Sequence, residues 1–159
     1  MKLIGQPIAA AVGANVPISE PIGSMVVDIG GGTSESALLS LGGVVVLEAV
    51  RVGSFEIDAA IQAYVRREYG LSIGERTAEE IKCHIGSAAF TPNEVRAEVK
   101  GRELMSGLPK TVILTPAEIR KAIEEPVAAM VESVLTCLSQ APPRSEERRV
   151  GKEWRSRWS

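Results

Sequence analysis

MVVDIGGGTSESALLSLGGVVV, residues Met25 to Val46, is the stretch on which the fold turns. An apolar run beginning at Ser24 ends in an acid, Asp28. After Ile29 come three glycines, Gly30, Gly31 and Gly32, and a hydroxyl, Thr33. A second apolar run reaches Leu41, Gly42 and Gly43 interrupt it, and VVVLEAVRV follows. Strands joined by tight glycine turns predict an antiparallel meander. Glycines lack Cβ, so backbone N–H groups at the first turn can approach phosphate oxygens closely, and positive φ is available where the turn needs it. Asp28, at the mouth of that turn, is placed to hold Mg²⁺ through its water shell, because Mg²⁺ takes one or two carboxylates plus phosphates and keeps several waters. Thr33 is placed to hydrogen-bond a phosphate or an attacking water. The glycines alone are equally well explained as a plain flexible turn with Asp28 as its favoured turn residue. The complete order, apolar strand, Asp-x-Gly-Gly-Gly-Thr, strand, is more specific and favours the phosphate cradle.

Upstream, PIAAAVGA from Pro7 to Ala14 is small and apolar with a proline suited to a first helical turn, which predicts a short, closely packed helix. Downstream, Ile57, Ile61, Tyr64 and Val65 follow helical spacing until Gly70. Thr77 with Glu80 three residues on reads as a capping box opening a second helix, with Ile81, Ile85 and Ala88 on its apolar side. EVRAEVKG alternates as a half-exposed strand, and Thr111 to Leu114 forms another. Thr115, Pro116 and Glu118 supply the cap, first-turn proline and capping-box acid of a short helix ending near Glu125 and Pro126. A last helix carries Val127, Met130, Val131, Val134, Leu135 and Leu138 as its buried stripe. Strands first, then helices with a small β-containing insert, give an α/β domain with a subdomain.

Composition narrows the function. The chain has 159 residues, 45% hydrophobic and 24% charged, which is ordinary for a globular protein rather than a disordered one. A net charge of −2 shows none of the basic excess that nucleic-acid binding draws on. Cys83 and Cys137 lack metal-ligand spacing and read as free thiols of a reducing compartment; His84 adjoins Cys83, but neighbouring helical positions point about 100° apart, which makes joint ligation awkward. No run approaches the roughly 18 to 20 apolar residues that span a bilayer, and no secretory signal pattern opens the chain, so the expectation is a cytoplasmic protein. From Arg144 the composition changes. Six Arg or Lys against three Glu give the last sixteen residues about +3, leaving about −5 upstream, and both tryptophans, Trp154 and Trp158, lie there. RSEERRVGKEWRSRWS could be a basic arm for membranes or nucleic acid. It more closely resembles the translated read-through of a sequencing adapter, departing at Trp154, and is expected to be foreign to the fold.

MVVDIGGGTSESALLSLGGVVV strongly resembles the second phosphate loop of the actin, sugar-kinase and heat-shock-chaperone ATPases, and within them the MreB family. QPIAAAVGANVPISEPIGS upstream is similar to that family's connecting helix and following loop. RVGSFEIDAAIQAYVRREYGLSIGERTAEEIKCHIGSA, VKGRELMSGLPKTVILTPAEIRKAI and EEPVAAMVESVL downstream are also MreB-like. The resemblance runs from Ile4 to about Pro143. It implies an actin-like, ribonuclease-H-like second domain, truncated, with an inserted small α+β subdomain. Residues 1–22 would be the connecting helix and loop, 23–53 the core hairpins, 54–125 the insert, 126–143 a core helix and 144–159 the foreign tail.

The resemblance also implies roles. Asp28, Gly30, Gly31, Gly32 and Thr33 match the phosphate-binding hairpin for ATP, with Asp28 on Mg²⁺. Glu79 and Lys82 match the pair that contacts ribose and base; their spacing of three allows one helix face, although a solvated ion pair explains that spacing too. Gln6 stands where the family commonly has the glutamate that orients catalytic water. Eukaryotic actin has glutamine there, so Gln6 would orient water without acting as a strong base, giving slow hydrolysis. A cytoskeletal filament subunit is implied, self-associating and working with cell-wall synthesis and membrane morphogenesis proteins at the inner face of the plasma membrane to set rod shape. The alternative is the ATPase domain of a heat-shock-type chaperone, which shares the hairpin; a sugar kinase would need a substrate-binding carboxylate, and the chain does not identify one. The first phosphate loop and first domain of the family pattern lie outside the chain, so these 159 residues alone are expected to bind ATP weakly and turn nothing over.

Overall fold

The computed structural model describes residues 4–90, 92 and 95–141. The adapter-like tail, with Trp154 and Trp158, lies outside the described residues. The described residues fall into two compact units, 4–51 with 130–141, and the described part of 52–129.

In the first unit, α1 (Gln6–Gly13) starts with Pro7 in its first turn, where the missing N–H leaves no bond unmade. Three strands follow, β1 (Ser24–Ile29), β2 (Ser34–Ser40) and β3 (Gly43–Val50), in the order β1-β2-β3 and antiparallel throughout. The meander is therefore as its glycine turns predict. Asp28 pairs with Glu35, and Ile29 with Ser34, which puts the triple glycine at the hairpin tip. Central β2 is covered on both faces. Ala37 and Leu39 pack with Ala11 of α1, joined by Ile8, Val16, Ile18 and Val26. On the other face, the buried Cys137 thiol reaches the Leu38 backbone, and burial pushes that thiol's pKa up. Cys83 and Cys137 are both free thiols.

In the second unit, α2 (Ser54–Tyr69) opens with the Gly53 N–H donating to Glu56 and ends on Gly70 in the left-handed conformation, φ 61°. β4 (Leu71–Ser72), α3 (Glu75–Ile85), β5 (Ala97–Glu103), β6 (Pro109–Leu114) and α4 (Pro116–Ala122) follow. The strands form an antiparallel sheet in the order β4-β5-β6. Ile61, Val65, Leu71, Ala78, Leu114 and Ile119 are fully buried in one core with Ile81, Ile85 and Val99. The two-residue β4 carries no sequence pattern. It pairs with β5 because Gly101 has no side chain: a Cβ there would sit 2.6 Å from the Ser72 carbonyl oxygen and 2.8 Å from Leu71 Cγ.

Several expectations need correction. The second helix starts at Glu75 behind Gly74, so Thr77 is helical rather than a cap, and Glu80 pairs instead with Arg76 at 3.2 Å. That helix stops at Ile85, which leaves Ala88 exposed beyond it. Val95 precedes its strand and is exposed, and α4 ends at Ala122, short of Glu125. In the last helix, α5 (Glu124–Ser139), Val127 packs on the second unit's core and Met130 and Cys137 are buried in the first unit. Val131, Leu135 and Leu138 are exposed, contrary to the predicted stripe. Periodicity identifies an apolar helix; which side of it is covered depends on elements distant in sequence.

The capping box of α4 forms as predicted. Glu118 Oε2 accepts from the Thr115 N–H at 2.9 Å and from Thr115 Oγ1 at 2.8 Å, and the Glu118 N–H donates to Thr115 Oγ1 at 3.4 Å. Tyr69 at the end of α2 donates its hydroxyl to Glu118 Oε1. Burial pushes the Glu118 pKa up, but the bonds from Tyr69 and Thr115 outweigh it and hold the carboxyl below its ordinary value. The same bond to Glu118, helped by burial, pushes Tyr69 up to about 12. Between the ordinary value of 10.0 and about 12, an unfolded tyrosine ionises while the folded one stays protonated, so stability falls as pH rises through that window. Tyr69→Phe is expected to flatten this alkaline limb and lower stability near neutrality by about 1 kcal/mol. Urea midpoints measured across pH test both effects.

Candidate functional site

The first group of predicted residues meets at the β1–β2 hairpin. The Gly30 N–H donates to the Thr33 carbonyl at 2.8 Å, closing the turn, and a Cβ on Gly30 would stand 3.3 Å from that oxygen. Positive φ falls at Gly42, Gly70 and Gly107 among the described glycines rather than within the triple glycine. At Gly30, the need is therefore room rather than handedness. Gly30, Gly32 and Thr33 are exposed, and Gly31 and Asp28 half-buried. The turn opens to solvent instead of being packed under apolar side chains.

Gln6 and Asp28, 22 residues apart, are in contact: Gln6 Nε2 donates to Asp28 Oδ2 at 2.9 Å. Gln6 is the first residue of α1, so Asp28 stands beside the helix end that favours negative charge. A neutral amide donor fits an ionised carboxylate; a glutamate at position 6 would set two carboxylates at that distance. One carboxylate beside an open glycine turn suits Mg²⁺, which would draw its remaining ligands from phosphates and water. Among the described residues, no cluster of three or more His, Cys, Asp or Glu forms a protein-only metal cage.

Glu79 and Lys82 lie in the second unit, on α3. Glu79 is exposed and lines a cleft of about 760 Å³ with Phe55, Glu56, Asp58, Gln62 and Arg76. Lys82 does not form the solvated pair with Glu79 that their spacing allows. Its ammonium turns to α2, where Nζ lies 2.9 Å from Asp58 Oδ1, 3.0 Å from Asp58 Oδ2 and 2.5 Å from Ser54 Oγ. Sequence reasoning misses Asp58 and Ser54. The signal that could find them is a carboxylate and a hydroxyl one helical turn apart, with Asp58 set between Ile57 and the buried Ile61. Asp58 is itself only 8% exposed.

Comparison with known proteins bears on the family and the fold. The model of the MreB/Mbl protein family matches residues 1–147. The cell shape-determining protein MreB of Escherichia coli (strain K12) is 53% identical over 142 residues, covering 89% of this chain and 41% of the relative. The cell shape-determining protein Mbl of Bacillus subtilis (strain 168) is 38% identical over 138 residues, 87% of this chain and 41% of the relative. The chain thus spans about two-fifths of the length of the curated relatives it matches. Among solved structures, MreB5 of Spiroplasma citri bound to ADP superposes with a TM-score of 0.87 at 35% identity, covering 89% of this chain and 43% of that one. MreB5 bound to AMPPNP gives 0.84 at 36% identity, over 87% and 42%. The fold is therefore α/β and actin-like over the matched part, and the heat-shock-chaperone alternative gains no support. With the family model matched over residues 1–147 of its 159 and relatives 53% identical over most of its length, this chain belongs to the MreB/Mbl family.

Proposed function

We propose that the chain supplies half of an ATP site in a bacterial cytoskeletal filament protein that determines rod shape. The observation that carries this reading is the contact between Gln6 and Asp28 at the mouth of an exposed triple-glycine turn. Backbone N–H groups at Gly30, Gly31 and Gly32 would cradle the phosphates, with the Thr33 hydroxyl on a phosphate or the attacking water. Asp28 would hold Mg²⁺ through water; the ion would neutralise phosphate charge when bound. Gln6 orients Asp28 and would orient water, without basicity enough to abstract its proton. Glu79 and Lys82 would contact ribose and base. The nucleotides named for the two MreB5 structures, AMPPNP and ADP, support this assignment.

Filament assembly follows from the same reading, with nucleotide biasing domain closure and heterologous contacts building an open polymer. The MamK double helical filament, 19% identical with a TM-score of 0.67, shares the fold. Cell-wall synthesis and membrane morphogenesis proteins would be its partners, on the cytoplasmic side at the inner face of the plasma membrane. No helix among the described residues is long and apolar enough to cross a membrane. We read residues 54–125 as the inserted subdomain, with 1–22, 23–53 and 126–143 belonging to the core.

The test is a chimaera of the full length of the E. coli relative, with residues 4–141 of this chain replacing the matched stretch. Calorimetry is expected to detect Mg²⁺-dependent ATP binding, and Gln6→Glu is expected not to lower phosphate release. Absence of ATP binding by the folded chimaera would overturn the assignment; a marked fall in release with Gln6→Glu would remove the role given to Gln6.

A further inference from the structure

Lys82 is a residue whose charge is already answered within its own unit. The ion pair joins α3 to α2, and the side chains are only 18% and 11% exposed for Lys82 and Asp58. An ammonium has three N–H donors. Ser54 engages one and Asp58 Oδ2 another at 3.0 Å, while Asp58 Oδ1, 2.9 Å away, adds charge but takes no hydrogen bond of its own. One donor remains for a ligand, on a group whose positive charge is neutralised by the carboxylate beside it. Such a donor suits a neutral oxygen better than a phosphate, which gains most from an unpaired cation.

We propose that Asp58 is a positioning residue of the nucleoside site, with Ser54 as its helper. It fixes the Lys82 ammonium and cancels its charge, so that Lys82 reads the sugar hydroxyls of the nucleotide rather than its phosphates. The proposal rests on the nucleotide reading given above and adds a specificity to it. The surroundings agree. Asp58 lines the cleft that Glu79 also lines, with Glu56, Glu75 and one cation, Arg76. Three glutamates against that one arginine leave the wall net negative, which disfavours phosphate, and Glu79 can accept from a sugar hydroxyl. Removing Asp58 would leave Lys82 as a partly buried cation without its carboxylate partner, no longer fixed in place for a neutral oxygen.

The test compares Asp58→Asn with the unsubstituted protein in the full-length chimaera, using ATP and 2′,3′-dideoxy-ATP, whose sugar lacks both hydroxyls. The unsubstituted protein is expected to prefer ATP. Asp58→Asn is expected to weaken ATP about 10-fold while changing dideoxy-ATP much less, collapsing the preference. A second pair guards against a folding defect: in the Lys82→Met background no buried cation is left unpaired, and adding Asp58→Asn should change ATP affinity no further. Equal weakening of both nucleotides, no weakening of either, or a further loss in the Lys82→Met background would each overturn the positioning role and leave the nucleotide site standing. An unsubstituted chimaera that binds neither nucleotide would overturn the nucleotide reading, and this proposal with it.

Discussion

Asp28→Ala in the full-length chimaera is expected to weaken ATP binding by about 10- to 100-fold and to remove most of its dependence on Mg²⁺. That range is what removal of a group acting on a metal through its outer shell typically costs. The carboxylate is half-buried at the end of β1, beside the start of α1, and its Oδ2 already accepts from Gln6. Its surroundings therefore hold the side chain in place at the turn. Fold stability should change little, because the hydrogen bond that Asp28 makes to Gln6 is exposed. Calorimetric titration with and without Mg²⁺, beside a thermal melt, separates the two quantities. An unchanged Mg²⁺ dependence would show that the metal is held elsewhere.

Gly101→Val is expected to cost the second unit about 3 kcal/mol or more, the upper end of the overpacking range. A Cβ at Gly101 would lie 2.6 Å from the Ser72 carbonyl oxygen, 2.8 Å from Leu71 Cγ and 3.0 Å from Ile73 Cγ2. The first of these is backbone, so no rotamer change relieves it, and β4 must leave β5. Leu71 is fully buried and Ile73 nearly so, and displacing β4 therefore opens the core shared with Ile61, Val65 and Leu114. Denaturant unfolding of the chimaera checks this. A shift in midpoint worth less than about 1 kcal/mol would mean that β4 contributes little to the unit.

Local rules made much of the chain legible. The glycine turns and apolar runs defined β1, β2 and β3 almost to the residue, because an antiparallel meander is built from neighbouring segments and its turns are written in residue type. Thr115, Pro116 and Glu118 marked the start of α4 for the same reason: a capping box is a bond between residues three apart. Thr77 and Glu80 offered the same pattern and gave no cap. The entry into α3 is governed by the chain leaving β4 at Gly74, and an ion pair from Arg76 already engages Glu80.

Sequence by itself determined the three-stranded meander with Asp28 and the glycines at its first turn, the start of α4 and the family resemblance, since all of these reside in short contiguous strings. Tertiary structure alone decided that Gln6 donates to Asp28, that Lys82 belongs to Asp58 and Ser54 rather than to Glu79, that Gly101 admits β4, and that Val131, Leu135 and Leu138 face outward. Each joins or separates groups far apart along the chain. Helical or strand period states which residues share a side, but only the packing of distant segments determines what that side meets.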